Sequence, residues 1–142
     1  MPYSRLYYHC VWSTKGREPF IDDIVAPVIA QSVHDFCEEK GIRLHGVGLM
    51  PDHVHLAITI PPRFAIADVI GRVKGAATFR VNSASYASGR PKFAWQAEYG
   101  VLSFAEKHLP DVHAYVTDQP ARHAANRLWP HFERWDDPDP PT

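Results

Sequence analysis

Ile42-Arg43-Leu44-His45-Gly46-Val47-Gly48-Leu49-Met50-Pro51-Asp52-His53-Val54-His55-Leu56-Ala57-Ile58-Thr59-Ile60 is the stretch that decides the architecture. Two apolar segments, 42–49 and 53–60, are joined only by Met50-Pro51-Asp52, which reads as a tight antiparallel connection. His53 and His55 open the second of these strands. Side chains alternate along a strand, so positions i and i+2 project from the same face about 6 to 7 Å apart, close enough to share one divalent cation. The pair is a chelate only if a third ligand arrives. Alone, it is equally a pair of sheet histidines with satisfied hydrogen bonds.

Outward from that hairpin the pattern alternates. Upstream, 6–14 is rich in aromatic and β-branched residues and reads as a strand, followed by the polar turn Lys15-Gly16-Arg17-Glu18-Pro19. From Asp22, a plausible N-cap, Val25, Val28, Ile29, Val33 and Phe36 recur at helical spacing until Gly41, which predicts a helix over 23–40. Downstream, Pro61-Pro62 ends the hairpin strand, and Ile66, Val69, Ile70, Val73, Ala77 and Phe79 predict a second helix over 65–83. The small polar run 83–92 reads as a loop, 93–103 as a fourth strand, and 105–119 as a last helix that Pro120 kinks or ends near Asp118. The order β-α-β-β-α-β plus a helix predicts an α+β, ferredoxin-like (split βαβ) antiparallel sheet with helices on one face.

A chain of 142 residues, 45% hydrophobic, suits one domain, taken as residues 1–128. Residues 129–142 form an acidic, proline-rich tail expected to fray, although Trp129, Phe132 and Trp135 could dock. Cys10 and Cys37 have no paired spacing and read as reduced core thiols. No leader-like or membrane-spanning apolar run stands in the sequence, so a soluble cytoplasmic protein is expected, with no membrane partner. The net charge of −1 argues against a general polyanion binder. Locally, however, Arg63, Arg72, Lys74, Arg80, Arg90 and Lys92 face the single acid Asp68, either a solvated helix face and loop or a phosphate-contacting surface.

Tyr115 and Gln119 are four residues apart, hence on one face of a helix, and could complete the histidine site. Two imidazoles and an amide oxygen suit magnesium or manganese with substrate oxygens in the remaining positions. Tyr115 would then be the attacking group. A phenol with a pKa near 10 is only about 0.1% ionised at neutral pH, so it needs a cation or base beside it. Asp52 either orients an imidazole or caps the turn, and His113 and His123 are either exposed helix histidines or contacts to the site.

These motifs resemble the single-tyrosine HUH transposases of the insertion-sequence-200 type and their REP-associated relatives. The resemblance is carried by 8–15 with Arg17-Glu18-Pro19, by Leu49-Met50-Pro51-Asp52-His53-Val54-His55-Leu56, and by Lys74-Gly75-Ala76. Trp95-Gln96, Tyr99-Gly100, Ser103-Phe104 and His113-Ala114-Tyr115-Val116-Thr117-Asp118-Gln119 with His123 complete it, over about residues 7–123. The chain departs from the pattern at Pro120 and at Arg122, where the family often has a histidine.

The resemblance implies cleavage and rejoining of single-stranded, hairpin-bearing DNA through a 5′-phosphotyrosine at Tyr115. His53, His55 and Gln119 would hold Mg or Mn, and no nucleotide cofactor is needed. It also implies a homodimer in which the tyrosine helix of one subunit can serve the histidines of the other. Arg72, Lys74, Arg80, Arg90 and Lys92 become candidate phosphate contacts, Asp52 and His123 candidate supports of the site or DNA contacts, and Tyr86, Phe93 and Trp95 candidate stacking rings. Two rivals are a DNA-binding regulator that does not cut and a metal-dependent phosphodiesterase using water.

Overall fold

The computed structural model describes residues 3–85 and 89–137. Four strands, β1 (Tyr7–Ser13), β2 (Arg43–Met50), β3 (His53–Thr59) and β4 (Gly100–Phe104), form one antiparallel sheet in the order β2-β3-β1-β4. Helices α1 (Val25–Lys40) and α2 (Ile66–Ser85) complete the β-α-β-β-α-β order, so the chain is α+β and ferredoxin-like, as the hydrophobic periodicity predicts. Neither of the buried cysteines is in a disulfide. Among the described residues no helix is long and apolar enough to cross a membrane.

The two faces of the sheet have separate cores, set by strand alternation. Val54, Leu56 and Ile58 of β3 and Cys10 and Trp12 of β1 point toward α1 and α2, where they meet Ile29, Val33, Val69, Ile70 and Val73. The alternate residues form the other face. Across it runs a transverse row, Gly48, His55, Val11 and Gly100, one from each strand in sheet order. The next row holds Met50, His53 and Ser13. This second face is covered by α3 (Leu109–Thr117), by α4 (Gln119–Ala124) and by a 3-10 turn at Pro130–Glu133, with Ala57, Val112 and Val116 as its small core.

Two expectations are corrected. The fourth strand begins at Gly100, not at 93, because the preceding backbone meets β1 only at an isolated antiparallel bridge, Thr14 to Trp95, with the Lys15 N–H on the Ala94 carbonyl and the Gln96 N–H on the Ser13 carbonyl (both 3.0 Å), and is otherwise held by side chains. Asn82 donates to the Phe93 carbonyl (3.1 Å) and accepts from its N–H (2.8 Å), and Lys74 Nζ donates to the carbonyls of Gln96 (2.6 Å), Ala97 and Glu98. The segment from Trp129 is seated on the sheet and not frayed as far as it is described. Trp129 and Phe132 pack on the second-face core, and Arg134 crosses Gly100 so closely that a Cβ there would overlap its carbonyl.

Candidate active site

The hairpin sets the histidines. His53 and His55 lie two apart on β3, both buried, with ring centroids 5.0 Å apart. Each is oriented through Nδ1. His53 Nδ1 lies 2.7 Å from Asp52 Oδ1, and Asp52 is itself gripped by Arg17 at 3.0–3.1 Å. His55 Nδ1 lies 2.8 Å from Nε2 of His9, a fully buried residue of β1. A partner at Nδ1 leaves Nε2 as the free coordinating atom, the usual arrangement around protein-bound metals. Both Nε2 atoms are buried without a hydrogen bond of good geometry.

The tyrosine helix arrives through two glycines of β2. Gly46 and Gly48 sit beneath α3, and a Cβ on Gly48 would overlap the Val116 carbonyl and lie 3.1 Å from Gln119 Cγ. Pro120 ends this helix as expected, since it lacks the amide that would bond to Val116. Asp118 (φ −104°, ψ 25°) marks the break, and Gln119 opens α4. Tyr115 and Gln119 therefore lie in consecutive segments and not in one helix. They still meet, with Gln119 Nε2 donating to the Tyr115 carbonyl at 2.8 Å.

The Tyr115 ring is buried, 5.9 Å from the His55 ring, with the Arg122 guanidinium 4.9 Å from its centroid. Its hydroxyl donates to Glu133 Oε2 and accepts the Trp129 N–H at 3.0 Å. Glu133 was not foreseen from the sequence. Its Oε2 is 3.3 Å from His55 Nε2, and its Oε1 is 3.4 Å from His53 Nε2 and 3.5 Å from His123 Nε2. Ligand atoms of His53, His55, His123 and Glu133 all lie within 4.8 Å of one another. Donors about 2.1 Å from a common ion stand roughly 3 to 4 Å apart, so the cluster is close to a closed coordination sphere. Gln119 Oε1 reaches this cluster through His123 Nε2, at 3.0 Å.

Burial dominates the electrostatics. It pushes the His55 and His123 imidazoles below their ordinary range, which keeps them neutral and able to coordinate. It also raises the Tyr115 phenol to about 12, with Glu133 adding to the effect. For Glu133 burial acts upward, but the adjoining His53 and His55 imidazoles, with the Tyr115 hydroxyl donating to the carboxylate, outweigh it and hold the carboxyl well below its usual range.

The basic residues do not converge on this cluster. Arg72 and Arg80 lie on α2, across the sheet, paired with Asp68 (3.8 Å) and Asp35 (2.7 Å); Arg90 pairs with Asp22 (2.8 Å), and Lys92 is exposed. Lys74 is engaged by the 96–98 carbonyls. Phe93 is a core residue, and Trp95 packs edge-on against it and against Trp12. Tyr86 lies outside the described residues. A groove of about 430 Å³ between β4 and residues 131–137 reaches His9.

The family model for IS200-like transposases matches residues 2–119. The chain belongs to that family. Its function is accordingly that of an IS200-like transposase in DNA transposition. The ISDra2 transposase TnpA of Deinococcus radiodurans is 29% identical over 119 residues, which cover 81% of this chain and 84% of that protein. The IS200 transposase of Salmonella typhimurium is 26% identical over 68 residues, 48% of this chain and 45% of that one. Among solved structures, a transposase candidate from Deinococcus radiodurans superposes with a TM-score of 0.67 at 29% identity, covering 82% of this chain and 92% of its own. A REP-associated tyrosine transposase bound to a REP hairpin gives 0.62 at 13% identity, over 96% and 92%, and shares the fold.

Proposed function

We propose that this transposase cuts and rejoins single-stranded, hairpin-bearing DNA in the cytoplasm, with Tyr115 as nucleophile and His53 and His55 as the core of a divalent metal site. One observation carries the reading: the Tyr115 hydroxyl and the Nε2 atoms of both histidines converge on a single carboxylate, that of Glu133. The phenol therefore stands within a few ångströms of the point where a cation would sit. The orphaned Nε2 atoms fit such a group. Magnesium or manganese bound there supplies Lewis-acid charge beside the scissile phosphate.

The chain's own residues do the rest. Tyr115 oxygen attacks phosphorus, the phosphotyrosine bond forms as the P–O3′ bond breaks, the phenol proton has Glu133 as its acceptor, and the departing O3′ takes up a proton from solvent. A 3′-hydroxyl is freed, and attack by a different 3′-hydroxyl reverses the step, so no nucleotide is hydrolysed. Asp52 and His9 hold the imidazoles in their coordinating orientation, and Gln119 ties His123 and the Tyr115 backbone together. Exposed Arg72, Arg80 and Lys92 contact phosphates away from the chemistry, with Arg90 nearby, while Lys74 shapes the loop before β4. Tyr115, His53 and His55 approach one another within one subunit, which supports Tyr115 acting in cis; a homodimer would serve to hold two DNA ends.

The buried Tyr115 gives the non-cutting regulator its one supporting observation, since DNA reaches the phenol only if Trp129 and Phe132 move aside. Peptide mapping after incubation with hairpin DNA and manganese separates the readings. A nucleotide attached to the peptide carrying Tyr115 is expected; DNA bound intact, with no modified peptide, would leave the regulator.

A further inference from the structure

We propose that Glu133 is itself a ligand of the divalent cation, so that the segment following α4 closes the metal site. The proposal rests on the reading that His53 and His55 hold that cation. It is argued from lone pairs.

Asp52, a carboxylate, can only accept from His53 Nδ1, so in the neutral ring the proton sits on Nδ1 and Nε2 carries a lone pair. That lone pair faces Glu133 Oε1 at 3.4 Å. When His55 donates from Nδ1 to His9, its Nε2 lone pair faces Glu133 Oε2 at 3.3 Å in the same way. Two acceptors meeting two acceptors in a buried space repel unless a cation lies among them. A carboxylate facing imidazoles is also the mixed donor set of many divalent metal sites.

The carboxylate is not there by the swing of a loose side chain. Its backbone is fixed on both sides by aromatic anchors. Trp129 stacks on Tyr115 with centroids 4.4 Å apart, and Phe132 stacks on His9 at 3.9 Å. Beyond Glu133, Trp135 lies 5.9 Å from His53 and beneath Arg17, whose guanidinium is 4.7 Å from its centroid. Gly100 makes the crossing possible, because any Cβ there would strike the Arg134 carbonyl. A seated carboxylate with only 15% of its side chain exposed is thus delivered to the open side of the histidine pair. One of its oxygens can serve the cation while the other keeps the Tyr115 hydroxyl.

The test is manganese affinity of the full chain, read from the free-ion paramagnetic resonance signal and by calorimetry, in wild type, Glu133→Gln, Gly100→Ala and His53→Ala. Glu133→Gln keeps the shape and hydrogen-bonding capacity while removing the charge. The proposal expects it to weaken manganese binding at least about tenfold, Gly100→Ala to weaken it in the same direction, and manganese to protect the 129–135 amides from hydrogen exchange in wild type but not in Glu133→Gln. Unchanged or tighter binding in Glu133→Gln, with His53→Ala still losing the ion, would overturn the proposal and make the carboxylate a competitor for the site. Wild-type affinity in His53→Ala would instead bring down the metal reading beneath it.

Discussion

Gly48 of β2 lies directly under the Val116 carbonyl, with no room between them for a Cβ. This contact seats the tyrosine helix on the histidine face of the sheet, because Gly48 pairs with His55 across the β2–β3 ladder and Val116 follows Tyr115. A methyl group here must push α3 outward. Gly48→Ala is expected to cost about 1 to 3 kcal/mol as an overpacking change and to reduce DNA cleavage at least tenfold. Gly75→Ala is the matched control, since a Cβ at that helical position meets nothing within 4 Å. It should be neutral or stabilise by up to about 1 kcal/mol. Thermal melts and cleavage rates of the two variants check the contrast.

His9 acts on the site through His55. Removing its Nε2 leaves His55 Nδ1 without its partner and frees the ring to turn or change tautomer. His9→Phe, which keeps a ring against Phe132, is expected to weaken manganese binding by about 10- to 100-fold, the range for outer partners of metal-bound histidines. Calorimetric titration measures it. Undiminished affinity would mean that His55 is oriented by packing alone.

Stability should fall as the solution is acidified from pH 7. Burial pushes the His9 imidazole down to about 2, and His55 and His123 are lowered by the same cause, while their unfolded counterparts take up a proton near the ordinary value of 6.5. Below 6.5 the unfolded chain binds more protons than the folded one, so stability is lost as pH falls and is flat with respect to these groups above it. Glu133, also lowered, adds a second loss of the same sign once pH drops below 4.5. Melting temperatures from pH 7 to 4 without metal should trace this decline, with a shallower slope in His9→Phe.

The donor set bears on metal choice. The residues that gather are three imidazoles and a carboxylate, with the Gln119 amide oxygen against His123, one imidazole more than the two histidines and an amide foreseen from the sequence. Nitrogen donors favour manganese over magnesium. Chelator-treated protein should regain cleavage at lower manganese than magnesium concentrations, and a metal titration of activity reads the order directly.

Much of this was legible in the primary structure because it follows local rules. The Pro51-Asp52 turn fixed the hairpin, alternation fixed which way His53 and His55 point, and Pro120 announced the break after Asp118. Tyr115 and Gln119 were found by spacing, although the break puts them in separate segments. Glu133 was invisible for a physical reason: a lone acid in a run with Asp136, Asp137 and Asp139 has no periodicity to set it apart. The available clue was Trp129, Phe132 and Trp135 at three-residue spacing, too many large rings for a segment left in solvent. The length of β4 was misjudged because the ladder before Gly100 shrinks to the isolated Thr14–Trp95 bridge, while Asn82 and Lys74 take the hydrogen bonds on either side of it.

The most direct test of the central claim is covalent capture. Full-length protein is incubated with hairpin-bearing single-stranded DNA and manganese, denatured, and separated by size. A protein–DNA adduct that survives denaturation in wild type and is absent in Tyr115→Phe is the predicted result. Cleavage without any adduct, or cleavage by Tyr115→Phe at the wild-type rate, would contradict it.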